Sequence, residues 1–194
     1  MSDEDRQRWD ARYAEGAYAQ RNHPSALLAN WQAMLPSGCA LDIASGAGRN
    51  ALFLAERGFE VWALDISSVA LDRLRAVGNP LIHPVLCDLD AGLPPLPGKV
   101  EVIVKLRYLQ LALVPALIER LVSGGVLICE VLLQEPATDV SATKAGPKDG
   151  RFRAAPGALR AVAAHLDILH SYEGDIVDPD GRSVHVAQLV GRRG

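Results

Sequence analysis

The sequence predicts an α/β protein built on a mostly parallel sheet, and three observations support this fold class. Short apolar runs alternate with amphipathic stretches from residue 39 to residue 133, which is typical of parallel strands connected by helices on both faces of a sheet. A glycine-rich turn follows the first apolar run. Two apolar runs flank the turn DPDG at 178–181, which predicts a terminal hairpin and therefore an antiparallel last strand.

The boundaries of the elements follow from periodicity, capping residues, glycine and proline. Helices are predicted at residues 3–17, 24–35, 49–57, 114–121 and 156–164, and one more between a cap at Ser67 or Ser68 and Gly78. Strands are predicted at residues 39–43, 59–64, 81–86, 100–106, 126–133, 166–174 and 182–193. Pro84 would remove a ladder hydrogen bond from the third strand, so that strand is expected at an edge of the sheet.

The 194 residues are enough for one hydrophobic core, and a single domain over residues 1–194 is expected. Residues 1–36 would form an N-terminal helical cap, and residues 37–194 the core fold. Residues 134–156 are polar and rich in glycine, proline and charge. This segment is too long for a simple connection and is a candidate lid.

The composition of the chain limits the classes of function that the protein can have. The chain has 20 basic and 23 acidic residues and a net charge of −3, so it lacks the positive field that holds nucleic acid, and a small-molecule ligand is expected. Cys39, Cys87 and Cys129 form no metal-binding pattern and are interpreted as buried, reduced thiols, and the five histidines are scattered, so no metal is expected. No apolar run suggests secretion or a membrane span, so a cytoplasmic location is expected. The protein is expected to be a monomer or a homodimer.

The glycine turn lies within LDIASGAGRNA at 41–51 and admits two interpretations. GAGRNA fits the G-x-G-x-x-A fingerprint of nicotinamide dinucleotide sites, with Asp65 about twenty residues further on. Asp42, however, places a negative charge at the mouth of the turn, where it would repel a diphosphate. S-adenosylmethionine has no phosphate and carries two cationic groups, an ammonium and a sulfonium. The sign of the charge therefore favours S-adenosylmethionine over NAD.

Each of the first three predicted strands ends near an acid, namely Asp42, Asp65 and Asp88. Because ligands of open parallel sheets bind at the carboxyl ends of the strands, the three side chains are expected to converge on one crevice. Asp65 can accept hydrogen bonds from ribose hydroxyls, and Asp88 from the exocyclic amine of adenine. The glycines let the backbone approach the ligand closely.

Several motifs resemble a known family. ALDIASGAGRNALFLAERGFEVWALDIS at 40–67 resembles the first two motifs of class I S-adenosylmethionine-dependent methyltransferases, and SGGVLICE at 123–130 resembles their post-catalytic strand. RWDARYAEGAYA at 8–19, HPSALL at 23–28 and RYLQ at 107–110 are similar to the small bacterial tellurite-resistance-type methyltransferases. The resemblance implies a Rossmann-like, doubly wound sheet of about seven strands.

The resemblance also implies roles for individual residues. Asp42 and Gly46 would lie by the methionine moiety, and Ile66 and Leu89 would pack on the faces of the purine. Ala44 stands where the superfamily often has a glycine, so its backbone is expected to have a negative φ. The candidate cofactor-binding residues are Asp42, Ala44, Gly46, Gly48, Asn50, Asp65, Ile66, Asp88, Leu89 and Lys105.

The acceptor side is expected to follow the fourth strand. Arg107, or Lys105, could bind an anionic acceptor, and Tyr108 could orient it. Methyl transfer from a sulfonium depends mainly on alignment, which can contribute about 7 to 11 kcal/mol, so a general base is optional. Candidate substrate or lid residues are Trp9, Tyr13, Gln110, Arg151, Phe152 and Arg153.

The preferred hypothesis is a methyltransferase that transfers the methyl group of S-adenosylmethionine to a small molecule by SN2 displacement. Gln110 and Leu111 replace a polar or basic pair that is usual in relatives. They motivate the alternative of an accessory or regulatory protein that binds the cofactor without efficient transfer. An NAD-dependent oxidoreductase is the third hypothesis.

Overall fold

The structure is a computed structural model that describes residues 3–16, 18–96, 98–135 and 150–194, except for the side chain of Arg151. The helices are α1 (Asp3–Ala14), α2 (Ala26–Trp31), α3 (Arg49–Ala55), α4 (Ser68–Ala76), α5 (Val114–Arg120) and α6 (Ala158–Val162). The strands are β1 (Cys39–Ile43), β2 (Glu60–Asp65), β3 (Ile82–Leu86), β4 (Val100–Leu106), β5 (Leu121–Leu132), β6 (Asp167–Val177) and β7 (Ser183–Arg192). Most of the candidate lid at 134–156 lies outside the described residues.

The seven strands form one sheet in the order β3-β2-β1-β4-β5-β7-β6. The first five strands of this order pair in parallel, whereas β7 is antiparallel to both β5 and β6. The predicted fold class, the antiparallel last strand and the edge position of the strand that contains Pro84 are all confirmed. β5 begins at Leu121, earlier than predicted, because Leu121 already pairs with Val100 before an irregularity in the ladder.

Helices cover both faces of the sheet. On one face, apolar residues of α2 and α3 and Leu74 of α4 pack on alternate positions of the strands. On the other face, α5 and α6 pack on a cluster that includes Leu41, Ile103 and Leu127. α4 begins as predicted, since the hydroxyl of Ser67 accepts a hydrogen bond from the backbone N–H of Ala70 at 3.2 Å.

The cysteines are all free, but only Cys129 is buried. The prediction that all three are buried is wrong for Cys39 and Cys87, which are partly exposed. Cys39 is the first residue of β1, and Cys87 follows the edge strand β3, so neither lies under a full layer of helices.

The parallel arrangement places the carboxyl ends of β1 to β4 at one edge of the sheet, which is called the carboxyl edge below. The turns that follow these strands contain most of the predicted site residues. α1 packs against α4 at the same edge. Among the helices that the structure describes, none is long and apolar enough to span a membrane.

Candidate functional site

The glycine turn connects β1 to α3 and has three residues in the left-handed region of the backbone. Gly46 has φ 56°, Gly48 has φ 85° and Ala44 has φ 54°. The prediction of a negative φ at Ala44 is therefore wrong. The strand must reverse direction sharply to begin α3 above it, and this path requires a left-handed residue directly after Ile43. Alanine accepts this conformation at a cost of about 1 to 2 kcal/mol.

Asp65, the last residue of β2, fixes the glycine turn. Its Oδ2 accepts a hydrogen bond from the backbone N–H of Gly46 at 2.8 Å, and its Oδ1 accepts one from the N–H of Ser67 at 2.8 Å. The side chain is almost fully buried, and this burial raises its pKa, while the backbone N–H groups of Ser67, Gly46 and Ile66 oppose the rise. Each carboxylate oxygen can accept a second hydrogen bond, so Asp65 retains capacity for a ligand hydroxyl.

Asp42 is the most unusual polar residue of the site. Only 1% of its surface is exposed, and among the described residues its Oδ2 has no hydrogen-bond partner. The backbone N–H of Ala51 donates to the carboxylate, which holds it beneath the first turn of α3. Burial raises the pKa of Asp42 to about 7, the charge of Arg49 opposes the rise, and the charge of Asp65 adds to it. Asp42 and Asp65 therefore lie close together.

The third acid, Asp88, reaches the same region. Burial raises the pKa of the Cys87 thiol to about 11, and the charges of Asp65 and Asp88 both add to the rise. Asp88 also accepts a hydrogen bond from the N–H of Asp90 at 2.9 Å, so it supports its own turn. The structure thus brings the three predicted acids together at the carboxyl edge. Ile66 and Leu89, which follow β2 and β3, are buried beside them.

Two predicted cofactor-binding residues have partners within the fold. The side-chain oxygen of Asn50 accepts a hydrogen bond from the backbone N–H of Ser25 at 3.0 Å and so ties α3 to the start of α2. Lys105 is completely buried, and its ammonium donates to the backbone carbonyl of Tyr108. Burial lowers the pKa of Lys105. Both side chains make hydrogen bonds within the protein that help to hold the site together.

α1 covers the glycine turn. Asp10 accepts a hydrogen bond from the hydroxyl of Ser67 at 2.6 Å and one from the N–H of Val69 at 3.3 Å, which docks α1 on the first turn of α4. Tyr13 is buried, and its hydroxyl lies only 2.3 Å from the position that a Cβ on Gly46 would occupy. Burial, with the charge of Asp65, raises the pKa of the Tyr13 phenol.

In the described part of the chain, the predicted lid residues of α1 lie close to those that follow residue 149. Trp9 and Tyr13 have ring centroids 6.3 Å apart, and the Arg8 guanidinium lies 5.7 Å from the ring centroid of Phe152. Arg153 is buried and ion-paired with Glu135 at 3.1 Å. α1 and the segment after residue 149 therefore contact each other.

The residues after β4 form two separate groups. The hydroxyl of Tyr108 donates to Asp90 Oδ1 at 2.6 Å, and the amide of Gln110 donates to the same oxygen at 3.2 Å. Burial and the hydrogen bond to Asp90 raise the pKa of Tyr108, so this phenol stays protonated at neutral pH. Asp90 was not among the predicted residues, although it belongs to the same CDLD stretch as Asp88.

Arg107 belongs to the second group. Its Nε donates to Glu130, whose side chain is 1% exposed, and its Nη2 lies 2.8 Å from Asp178 Oδ1. Gln188 completes the group by donating to Glu130 Oε2 at 2.7 Å. These contacts tie Arg107 to β5 and to the turn between β6 and β7, whereas the sequence predicts it beside an anionic acceptor.

The glycine turn suits a compact cation. The Oδ2 of Asp42 is buried and has no partner in the described part of the chain, so it calls for a positively charged or hydrogen-bond-donating group. The left-handed glycines let the backbone approach that group. Within the described residues, no group of three or more histidines, cysteines and acids could hold a metal ion.

Comparison with models of protein families finds a match for part of the chain. Residues 40–123 match the model of a methyltransferase domain family. This segment contains the glycine turn and all three acids of the carboxyl edge. Comparison with curated protein sequences finds no match.

Comparison with solved structures extends the likeness to the rest of the fold. TehB from Haemophilus influenzae has a TM-score of 0.67 and 19% identity over 87% of this chain, which spans 61% of the TehB chain. The glycopeptide N-methyltransferase MtfA, solved with S-adenosylmethionine, has a TM-score of 0.62 and 15% identity, covering 89% of this chain and 88% of that chain. The [4+2]-cyclase SpnF has a TM-score of 0.64 and 16% identity, covering 86% and 78%.

The strand order and the glycine turn at the carboxyl edge define a class I methyltransferase fold. Within this fold, residues 40–123 are similar to the methyltransferase domain family.

Proposed function

We propose that the chain binds S-adenosylmethionine at the carboxyl edge and transfers its methyl group to a small-molecule acceptor. The methyltransferase domain match and the fold indicate this cofactor. The observation that carries the proposal is the Oδ2 of Asp42, which is buried at the mouth of the glycine turn and has no hydrogen-bond partner within the described ranges. A cationic ligand group would satisfy this oxygen.

The electrostatics of the turn disfavour a dinucleotide. A diphosphate at a glycine turn depends on free backbone N–H donors, but the N–H of Gly46 already donates to Asp65. The nearby carboxylates of Asp42 and Asp65 would repel two phosphate charges in a partly dehydrated site. The same carboxylates attract the ammonium and sulfonium of S-adenosylmethionine.

In this proposal the residues of the chain mainly bind and align. Asp65 accepts from the ribose hydroxyls with the lone pairs that Gly46 and Ser67 leave free, and Asp88 accepts from the adenine amine. The sulfonium supplies an already activated methyl group. Alignment with a nucleophile can therefore account for most of the acceleration, about 7 to 11 kcal/mol.

The acceptor would lie near Tyr108 and Gln110, whose donors converge on Asp90. Because the pKa of Tyr108 is raised, its hydroxyl can orient an acceptor by hydrogen bonding but is a poor general base. This favours acceptors that are nucleophilic without a base, such as thiols and the oxyanions of selenium and tellurium. Trp9, Tyr13 and Phe152 would close over the bound molecules.

An accessory protein that binds the cofactor without transfer remains the second candidate. Leu111, in the position where a polar residue is usual, packs on the apolar core beside Tyr108. SpnF shows that proteins of this fold include one named as a cyclase. The two candidates predict the same cofactor affinity and differ only in turnover.

The decisive experiment has two parts. Calorimetric titration with S-adenosylmethionine, S-adenosylhomocysteine and NAD is expected to show binding of the first two compounds only. A screen for S-adenosylhomocysteine production is then run with thiols, selenite, tellurite, phenols and amines, with Asp42→Asn as the inactive control. NAD binding in place of S-adenosylmethionine would overturn the proposal, and cofactor binding without turnover on any acceptor would favour the accessory protein.

A further inference from the structure

The turn between β6 and β7 holds two arginines that come from distant parts of the chain. Both Nε and Nη2 of Arg21 lie 3.0 Å from Asp180 Oδ2, and Nη2 of Arg107 lies 2.8 Å from Asp178 Oδ1. Asp178 Oδ2 also lies 4.0 Å from Arg21 Nη2. Arg107 is paired in addition with the buried Glu130 of β5, so the turn is fastened to the sheet. Arg21, in contrast, belongs to the segment that follows α1.

The ion pair between Arg21 and Asp180 is partly shielded from water. The two side chains are 17% and 21% exposed, whereas those of the ion pair between Arg6 and Asp3 within α1 are 48% and 83% exposed. Exposed pairs contribute little to stability, and partly buried pairs are screened less by salt. The contact of Arg21 with the turn is therefore suited to hold two segments of the chain together.

Arg21 is connected to the glycine turn through two aromatic rings. Its guanidinium lies 5.3 Å from the ring centroid of Tyr18, and that of Arg12 lies 5.6 Å from the same centroid. The Tyr18 centroid is in turn 5.9 Å from that of Tyr13, whose hydroxyl packs on Gly46. Tyr18 has φ 62°, a backbone conformation that few residues other than glycine adopt, so contacts of the surrounding structure must hold it.

The same charges act on the helix that follows the glycine turn. Burial lowers the pKa of Arg49, the first residue of α3, and the charges of Arg21 and Arg107 add to this effect. Such an effect weakens with distance, so both arginines lie close to the end of the glycine turn. The turn between β6 and β7, the segment after α1 and the glycine turn therefore meet at the carboxyl edge.

We propose that Asp178 and Asp180 are positioning residues, which hold α1 and Tyr18 closed over the glycine turn by pairing with Arg21. The contacts of Arg21 with these two acids are called the latch below. The proposal rests on the proposed function, because the molecule that enters and leaves beneath the latch is S-adenosylmethionine. The latch joins two parts of the protein and does not contact the ligand. It should therefore slow entry and release by the same factor and leave the affinity unchanged.

The first experiment measures release and affinity separately on the full chain. Arg21→Gln and Asp180→Asn each break the latch, and Arg6→Gln, which removes only an exposed ion pair within α1, is the matched control. Radiolabelled S-adenosylmethionine, chased with an excess of unlabelled compound, is expected to leave both latch variants about two- to fivefold faster than wild type. Calorimetry should give the wild-type dissociation constant for all variants. The double variant should release the cofactor about as fast as Arg21→Gln, because the two changes remove the same contact.

The second experiment, amide hydrogen exchange, tests the latch without a ligand. The amides of α1 should exchange about two- to fivefold faster in Arg21→Gln and in Asp180→Asn, whereas those of α5 should keep the wild-type rate. Wild-type exchange in α1, or wild-type release of the cofactor, would overturn the proposal. A dissociation constant that rises in step with release would overturn it too, since a residue that contacts the cofactor has this effect. If the wild-type chain does not bind S-adenosylmethionine, the proposed function is refuted, and exchange in α1 alone decides whether the latch exists.

Discussion

The carboxylate of Asp65 accepts a hydrogen bond from the backbone N–H of Gly46, 2.8 Å away, and so connects the end of β2 to the turn after β1. The two residues are 19 positions apart in the sequence, and the fold brings them into contact at the site. It gives Asp65 two functions, since the residue shapes the glycine turn and offers its remaining lone pairs to a ligand. It also occupies a donor that a diphosphate would need.

Replacing Asp65 with alanine is expected to weaken binding of S-adenosylmethionine about ten- to a hundredfold, because hydrogen bonds to a charged acceptor are lost. It should also lower the free energy of unfolding by about 1 to 3 kcal/mol, since two buried N–H groups lose their acceptor. Calorimetry and urea unfolding measure the two effects. Asp72→Ala, at a side chain that is 70% exposed, is the control. Unchanged cofactor affinity in Asp65→Ala would place the ribose elsewhere.

Gly46→Ala tests the packing of α1 over the turn. A Cβ at Gly46 would lie 2.3 Å from the Tyr13 hydroxyl, and the φ of 56° is itself unfavourable for alanine. Gly58→Ala is the matched control, because Gly58 has φ 84° but no neighbour within 4 Å of its Cβ position. Both variants should lose about 1 to 2 kcal/mol of stability from the backbone. Only Gly46→Ala should also change the tryptophan fluorescence of the protein, because Trp9 lies next to Tyr13, and an unchanged spectrum would contradict this packing.

Asp42→Asn should stabilise the ligand-free protein in a pH-dependent way. The pKa of Asp42 is about 7 in the folded protein and about 3.9 in an unfolded chain. Because its pKa is higher in the folded state, Asp42 binds its proton more tightly there than in the unfolded chain. The stability that protonated Asp42 contributes is therefore complete below about pH 4 and is lost as the pH rises to about 7.

At pH 8 the rise of about three units in the pKa of Asp42 costs the folded wild-type protein about 4 kcal/mol. Asp42→Asn avoids this cost, but the amide of the asparagine lacks a partner, which offsets part of the gain. Asp42→Asn is therefore expected to be about 1 to 3 kcal/mol more stable than wild type at pH 8. The advantage should shrink towards pH 4. Urea unfolding at several pH values measures the difference, with Asp72→Asn as the control. A difference that does not change with pH would show that Asp42 titrates normally.

Ala44→Gly should relieve strain in the turn. Glycine removes a left-handed penalty of about 1 to 2 kcal/mol but adds about 0.5 to 1 kcal/mol of unfolded-state entropy. The net expected gain is about 0.5 to 1 kcal/mol in thermal or urea unfolding. Ala47 is the matched control, since it lies in the same turn without a positive φ, and Ala47→Gly should destabilise the protein. Destabilisation by Ala44→Gly would mean that the alanine methyl makes a necessary contact.

Glu130→Gln probes the group around Arg107. The change leaves a partly buried guanidinium without its nearest charge, and breaking a buried pair costs about 3 to 5 kcal/mol. Glu119→Gln, at an ion-paired side chain that is 77% exposed, should change stability by less than about 1 kcal/mol. Urea unfolding distinguishes the two. A negligible loss in Glu130→Gln would free Arg107 for the acceptor role that the sequence suggests.

Much of the fold could be predicted because its signals are local. The order of strands and helices follows from periodicity and capping, as at Ser67 and α4. Pro84 gave the edge position of β3, and the turn at 178–181 gave the antiparallel hairpin. The convergence of Asp42, Asp65 and Asp88 also followed, because parallel strands share one carboxyl edge.

The errors arose where backbone path or side-chain partners mattered. The φ of Ala44 depends on how sharply the chain must turn to place α3, which residue type alone does not reveal. The cofactor contacts of Asn50 and Lys105 stay predictions, and only the structure shows that their side chains hydrogen-bond with Ser25 and Tyr108.

The sequence by itself determined the α/β class, the position of the glycine turn and the acidic character of the carboxyl edge, because periodicity, capping and strand ends are properties of neighbouring residues. Only the tertiary structure decided that Tyr13 packs on Gly46, that Arg107 pairs with Glu130 and Asp178, and that the Oδ2 of Asp42 has no hydrogen-bond partner among the described residues. Such partners lie as far as 71 residues apart, and the register of the sheet brings them together. Charges left unpaired by that register mark the places where a ligand can bind.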